Sequence, residues 1–336
     1  MPTICHEIGG FNGWKKSLLE VKGLYMTVLS GKKIYLDYNI VSYIVDPIEE
    51  GVERIFPDNI AEFISKNSDV VYSPAHMEEL CVPYLSGSRG LEDVSDKLLK
   101  ISNLTEDLSI GPGFRRGMRV VSRMGPFGAH FHHESTLVCF ERVYLHRGLN
   151  KSAEKGQEDF SNRAADTDVS SVVVNNVDPM SLFGNDGAAQ AVMSEYKEIL
   201  EAGSVVNVKF NIACAEFINE EIRRTLAEGP ESPRESFPLI ANFHAAVMAM
   251  IEAAMKFLTI SRFYPEPVAK SRSDMHDITH AIYGAYCDYF VTNDRRFFRK
   301  CVAVFEYLGV PCRVMMMSDF IKFCKSEMIG DGVVSS

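Results

Sequence analysis

The chain has 336 residues, of which 46% are hydrophobic and 24% charged, with a formal net charge of −10. This is the composition of an ordinary soluble globular protein, long enough for one large domain with an insertion or for two domains. The acidic balance excludes a surface coated throughout by nucleic acid, but leaves room for a local basic groove. Eight cysteines are scattered without a CxxC pair and mostly sit in apolar runs, which reads as buried, reduced thiols rather than a disulfide framework or zinc ribbon. No basic-then-apolar leader opens the sequence. The longest apolar stretch, 238–260, carries Asn242, His244, Glu252 and Lys256, polar groups costly in lipid. These features predict a cytoplasmic protein with no membrane partner.

Taken in order, residues 1–30 form an N-terminal appendage of mixed polarity. Lys33 to Ile40 is β-rich, and 57–67 has helical spacing. A short β-branched strand at 69–72 leads into Ser73-Pro74, a helix entry with Ser as N-cap and Pro at the first helical position. Strand, helix, strand, helix predicts a βαβ unit and so a parallel sheet. The segment 87–270 reads as a mainly helical insertion, with amphipathic patterns at 91–104, 191–200, 209–226 and 241–260. Within it, 150–187 is polar and loop-like, and the prolines of 228–238 make a second break. The α/β pattern resumes over 271–328: helix 277–286, strand 289–292, helix 294–308, strand 311–317, and a helix from Ser318 to Met328. Residues 329–336 are expected to be a disordered tail. The sheet is thus assembled from the two ends of the chain, 31–86 and 271–328.

Four acidic signatures each end a hydrophobic run: Tyr35-Leu36-Asp37-Tyr38-Asn39, Ser73-Pro74-Ala75-His76-Met77-Glu78-Glu79, Asp274-Met275-His276-Asp277 and Val291-Thr292-Asn293-Asp294. A carboxylate just past a strand lies at that strand's carboxyl end, the edge where open parallel sheets bind ligands. Carboxylates gathered at one edge repel one another unless a cation neutralises them, and hard oxygen donors suit Mg²⁺ or Mn²⁺. Alone, Asp37 or Asp294 reads as a helix N-cap. The four together read as a metal site, with Thr292 and Asn293 adding a polar cluster at the last strand end and Asn39 supporting Asp37. Asp274 and Asp277 lie three apart on one helical face, and both stay candidates. His276 and His280, four apart on a helix, could form a zinc pair, but their oxygen-rich surroundings favour structural or substrate-contacting roles. The His130-Phe131-His132-His133-Glu134 run reads as a loop or partner contact.

These signatures resemble the PIN-like nuclease family. Lys33 to Val41 is similar to the family's opening strand, Ser73 to Leu80 to its serine-to-glutamate helix entry, and Asp288 to Phe297 is the most specific stretch. The order Asp, Glu, Asp, Asp matches, and the long separation of Glu79 from Asp274 marks the insertion. The resemblance implies a three-layer α/β/α sandwich with a central parallel sheet. It also implies metal-dependent hydrolysis of phosphodiester bonds, in RNA more than DNA. Asp37, Glu79, Asp277 and Asp294 would be catalytic, holding one or two Mg²⁺ or Mn²⁺ with Asp274 as a further ligand. The metal would activate and orient a water, with no protein nucleophile. The alternative is a catalytically inactive PIN-like binding or interaction module. Two basic clusters could hold nucleic acid: Arg295, Arg296 and Arg299 beside Asp294, and a helical stripe of Arg115, Arg116, Arg119 and Arg123 in the insertion. The insertion is also a candidate surface for a protein partner or a homo-oligomer.

Overall fold

A computed structural model describes residues 29–46, 55–112, 119–124, 127–149, 178–184, 187, 190–198, 236–264 and 273–330. The N-terminal appendage, nearly all of the polar stretch 150–187, the helical pattern 209–226, most of the break at 228–238, most of the tail, Cys5, Cys214, Arg115 and Arg116 lie outside the described residues.

Strand β1 (Lys33–Leu36) passes through Asp37 into α1 (Tyr38–Val45), and α2 (Asp58–Asn67) returns the chain to β2 (Asp69–Val71). Helix α3 (Pro74–Leu85) follows, opened by Ser73, whose Oγ accepts from the Ala75 N–H at 3.2 Å. After α4 (Leu91–Thr105) come β3 (Leu108–Gly111), β4 (Arg119–Arg123), β5 (His130–His133) and α5 (Thr136–Leu149). The described helices then run α6 (Pro179–Phe183), α7 (Ser236–Ile240), α8 (His244–Ile260) and α9 (Ser273–Gly284), with residues 190–198 also helical. The chain closes with β6 (Tyr289–Thr292), α10 (Arg295–Leu308), β7 (Arg313–Met316) and α11 (Met317–Gly330).

The main sheet is parallel, in the order β2-β1-β6-β7, with Tyr35 opposite Val71 and Phe290, and Phe290 opposite Val314. Successive strand residues point to opposite faces. Ile34, Leu36, Val70, Tyr289, Val291 and Met315 accordingly enter one apolar core with residues of α1, α2, α4 and α11. Tyr35, Val71 and Phe290 enter the other, with α8, α9 and α10. Both faces are covered, which is why these strands read as continuous apolar runs rather than as an alternating pattern. The molecule is α/β, as its sequence predicts.

The chain leaves β1 for β2 on one side, then resumes with β6 and β7 on the other. The order therefore reverses between β1 and β6, and their carboxyl ends flank a topological switch point, where open sheets of this kind bind ligands.

The described part of 87–270 is mostly helical but is not helical throughout. It holds a three-stranded antiparallel sheet, β3-β5-β4. Tyr72 splices this sheet to the first: its N–H donates to Leu108 O at 3.0 Å, and the Ile110 N–H donates to Tyr72 O at 2.9 Å. The strands escape periodicity because each is short and two are polar. Leu-Ser-Ile-Gly, Arg-Val-Val-Ser-Arg and His-Phe-His-His become strands through pairing, which no local pattern records. The expected helical stripe of arginines is corrected accordingly: Arg119 and Arg123 terminate β4, whose pairing with β5 shifts register between Val120 and Ser122. The histidine run, expected as a loop or partner contact, forms strand β5, with His130 and His132 buried. The apolar stretch 238–260 divides into α7 and α8 at 241–243, where the His244 N–H donates to Phe127 O at 3.0 Å.

Candidate functional site

Asp37 stands at the N-cap position of α1 but makes no side-chain cap hydrogen bond. Its backbone N–H instead donates to Val291 O at 2.8 Å, carrying the β1–β6 pairing one residue past the strand. Its Oδ2 accepts from Thr292 Oγ1 at 2.8 Å, and both side chains are buried. Burial pushes the Asp37 carboxyl above its ordinary range, and nearby Glu79 adds to this, while His280 and the Thr292 bond offset part of the rise. A backbone hydrogen bond from Tyr38 offsets a further part, and a cation beside the carboxyl would favour its ionised form in the same way.

Thr292 links the two strand ends, because its Oγ1 also accepts from the Asp294 N–H at 3.1 Å. Asp294 caps α10, with Oδ1 accepting from the N–H groups of Arg296 at 2.7 Å and Phe297 at 3.0 Å. The capping role is therefore real, and it leaves Oδ2 for other work. Asn293 is exposed and donates to Tyr43 Oη at 3.5 Å. Asn39 is also exposed on the first turn of α1, and among the described residues its side chain makes no bond to Asp37.

Glu79 lies on the second turn of α3. The helix α9 leads into β6 and so begins at the same sheet edge, and the two helices face each other through paired contacts. His280 Nε2 is 3.7 Å from Glu79 Oε1, and His276 Nδ1 is 3.7 Å from Glu78 Oε2. Burial would raise the Glu79 carboxyl, yet His280, with His276 beyond it, holds it below the usual range. Asp277, half-buried on α9, lines a recess with Met255, Thr259, Phe297 and Lys300. Asp274 lies in the first turn of α9, and its side chain is outside the described residues. Arg295, Arg296 and Arg299 are exposed on α10.

The structure thus joins Asp37, Thr292 and Asp294 through hydrogen bonds, and sets Glu79 within electrostatic reach of Asp37. Among the described residues, no three His, Cys, Asp or Glu side chains are close enough, as they stand, to hold a metal ion. The donor chemistry still fits a hard divalent cation. Asp37 Oδ1, Glu79 and Asp294 Oδ2 are oxygen donors of the kind such a cation takes, and Asp37 is buried.

Sequence reasoning missed Tyr35. Its hydroxyl lies 2.6 Å from Ser73 Oγ and 2.8 Å from His280 Nδ1. The available signal was a tyrosine inside a fully buried strand, since a buried phenol needs a polar partner. His76 and His280 are both fully buried. The His76 ring is enclosed, its Nε2 reaches Leu36 O at 2.8 Å, and burial lowers its pKa to about 3, so it is neutral. The six described cysteines are all buried, as expected, and none of them is joined in a disulfide. No family model, curated protein or solved structure matches this chain at a significant level. No described helix is long and apolar enough to cross a membrane.

Proposed function

We propose that this chain is a metal-dependent nuclease with a PIN-like three-layer α/β/α sandwich, hydrolysing phosphodiester bonds, RNA in preference to DNA. One observation supports this most: Asp37 and Asp294 leave neighbouring parallel strands at a topological switch point, tied by a single threonine hydroxyl. Asp37, Glu79 and Asp294, with Asp277 or Asp274, would hold Mg²⁺ or Mn²⁺. The ion would supply a water of lowered pKa and stabilise charge on the leaving oxygen. Thr292 keeps one Asp37 oxygen occupied and aimed, while burial keeps competing water away from it. The insertion and the α10 arginines would hold the polyanion.

A non-catalytic binding module is the second reading, favoured by the commitment of Asp294 Oδ1 to capping α10. A single assay separates the two. RNA cleavage that needs Mn²⁺, and falls at least a hundredfold in both Asp37→Asn and Asp294→Asn while both remain folded, supports the nuclease. Tight RNA binding without metal-dependent cleavage in the wild type supports the module and ends the nuclease reading.

A further inference from the structure

Behind the carboxylate edge lies a buried polar chain that the proposed chemistry does not use. Ser73 Oγ accepts from the Ala75 N–H at 3.2 Å and lies 2.6 Å from the Tyr35 hydroxyl, which lies 2.8 Å from His280 Nδ1. The other nitrogen, His280 Nε2, is fully buried, has no hydrogen-bond partner, and stands 3.7 Å from Glu79 Oε1. A parallel branch leaves the same serine. The Ser73 N–H donates to His76 Nδ1 at 3.1 Å, so His76 carries its proton on Nε2 and donates it to Leu36 O at 2.8 Å. Leu36 directly precedes Asp37.

For a neutral His280 ring, counting protons gives the chain one direction. Tyr35 has one proton and two neighbours. If it received a proton from His280 Nδ1, the Nε2 lone pair would face the Glu79 carboxylate in a dry setting, a repulsive arrangement. The self-consistent wiring runs the other way. Ser73 donates to Tyr35, Tyr35 donates to His280 Nδ1, and the remaining proton on Nε2 points at Glu79. Hydrogen bonds in such a chain polarise one another, so the last donor is strengthened. The 3.7 Å gap exceeds a formed bond by about 0.8 Å, the looseness expected of a site before it closes on its ligand.

We infer that His280 is a positioning residue: aimed by Tyr35 and Ser73, it holds Glu79 at a fixed spacing from Asp37, whose approach is held by His76 through Leu36. This rests on the nuclease reading of the same edge. The chain ties the second acidic signature to the first and third through buried contacts, so the spacing of the carboxylates is set from inside the sheet. His276, the outer partner of Glu78, should not share the role.

The test is Mn²⁺ binding by calorimetry on the full chain, with circular dichroism and melting as controls for folding. His280→Ala should weaken Mn²⁺ affinity by about 10- to 100-fold, the usual cost of losing a group that orients a ligand. His280→Gln, which keeps an N–H donor near the Nε2 position, should recover most of that loss. Tyr35→Phe should weaken binding in the same direction by a smaller factor, and His276→Ala should weaken it less than His280→Ala does. A folded His280→Ala with wild-type Mn²⁺ affinity overturns this inference and leaves the nuclease reading standing, as does a His280→Gln no better than Ala. A wild-type protein that binds no Mn²⁺ ends the nuclease reading and this inference with it.

Discussion

Asp37 shows how one side chain can hold the position of a helix cap without doing the work of one. Its neighbours in sequence suggest capping, but its hydrogen bond reaches Thr292, 255 positions away, so the local pattern could name the residue and not its partner. The energetic sign follows from burial. A carboxyl whose folded pKa is raised is destabilising wherever it is ionised, because the unfolded chain gives up the proton more readily. Asp37→Asn in chelator should therefore melt at or above the wild type at pH 7. The difference should shrink as the pH falls below the ordinary carboxylate range, and a lower melting temperature at pH 7 would contradict this reading. His244 gives the opposite dependence. It packs against Tyr283 and Tyr286, and burial lowers its pKa to about 4. Unfolded chains take up this proton near pH 6.5 and the folded protein only near pH 4, so stability is lost as pH falls through that window. At about 1.36 kcal/mol per unit the loss is on the order of 3 kcal/mol. In His244→Phe the acid limb of a urea-denaturation series should flatten by a comparable amount, and an unchanged limb would sink the assignment.

At the scale of elements, the legible parts are those that carry their own start and stop signals. Helix α10 is bounded by the Asp294 cap and by Gly309, whose φ of 71° is the left-handed conformation a glycine adopts freely. Strand β6 is a buried run of four, three of them apolar, and β1 is its counterpart beside it. The second sheet was hidden because nothing within 108–133 announces its pairing. The helix-to-strand turn after α9 depends on a feature that only packing reveals. A Cβ on Gly284 would lie 2.9 Å from Cγ of Phe290, a fully buried ring in β6. Gly284→Ala should therefore push β6 away from α9 and cost about 1–3 kcal/mol, the usual penalty for overpacking. Denaturant unfolding measures it, and a neutral or stabilising result would show that the ring yields freely. Asp294→Ala should cost about 1 kcal/mol through the lost cap, while Asp294→Asn keeps the acceptor and should stay near the wild type. Comparing the two separates the cap from the proposed metal ligand, because only the ligand role is sensitive to the Asn substitution.

Over the whole molecule, Tyr72 makes the two sheets one run of strands, β7-β6-β1-β2 continuing into β3-β5-β4. The described members of the two basic clusters named from sequence then occupy opposite parts of it. Arg295, Arg296 and Arg299 sit on α10 directly after β6, beside the carboxylates. Arg119 and Arg123 lie on β4, four strand spacings from β1, or roughly 19 Å along the hydrogen-bonding direction. A short substrate lying over the switch point would meet the first cluster and not the second. An acidic protein must supply its positive charge locally to hold a polyanion, and beyond a Debye length of about 8 Å a distant arginine helps little at physiological salt. Replacing the three α10 arginines with Gln should thus weaken RNA binding and lower the salt dependence, with the slope of log K against log salt flattening by about 2 for a single strand. Replacing Arg119 and Arg123 should leave binding of a short oligonucleotide unchanged and weaken only a longer one that spans the sheets. A titration series in KCl with two RNA lengths reads both effects. If the β4 arginines matter equally at both lengths, the footprint is centred on the inserted sheet. If neither set alters the slope, the polyanion is held elsewhere and the arginines of α10 are an ordinary solvated face.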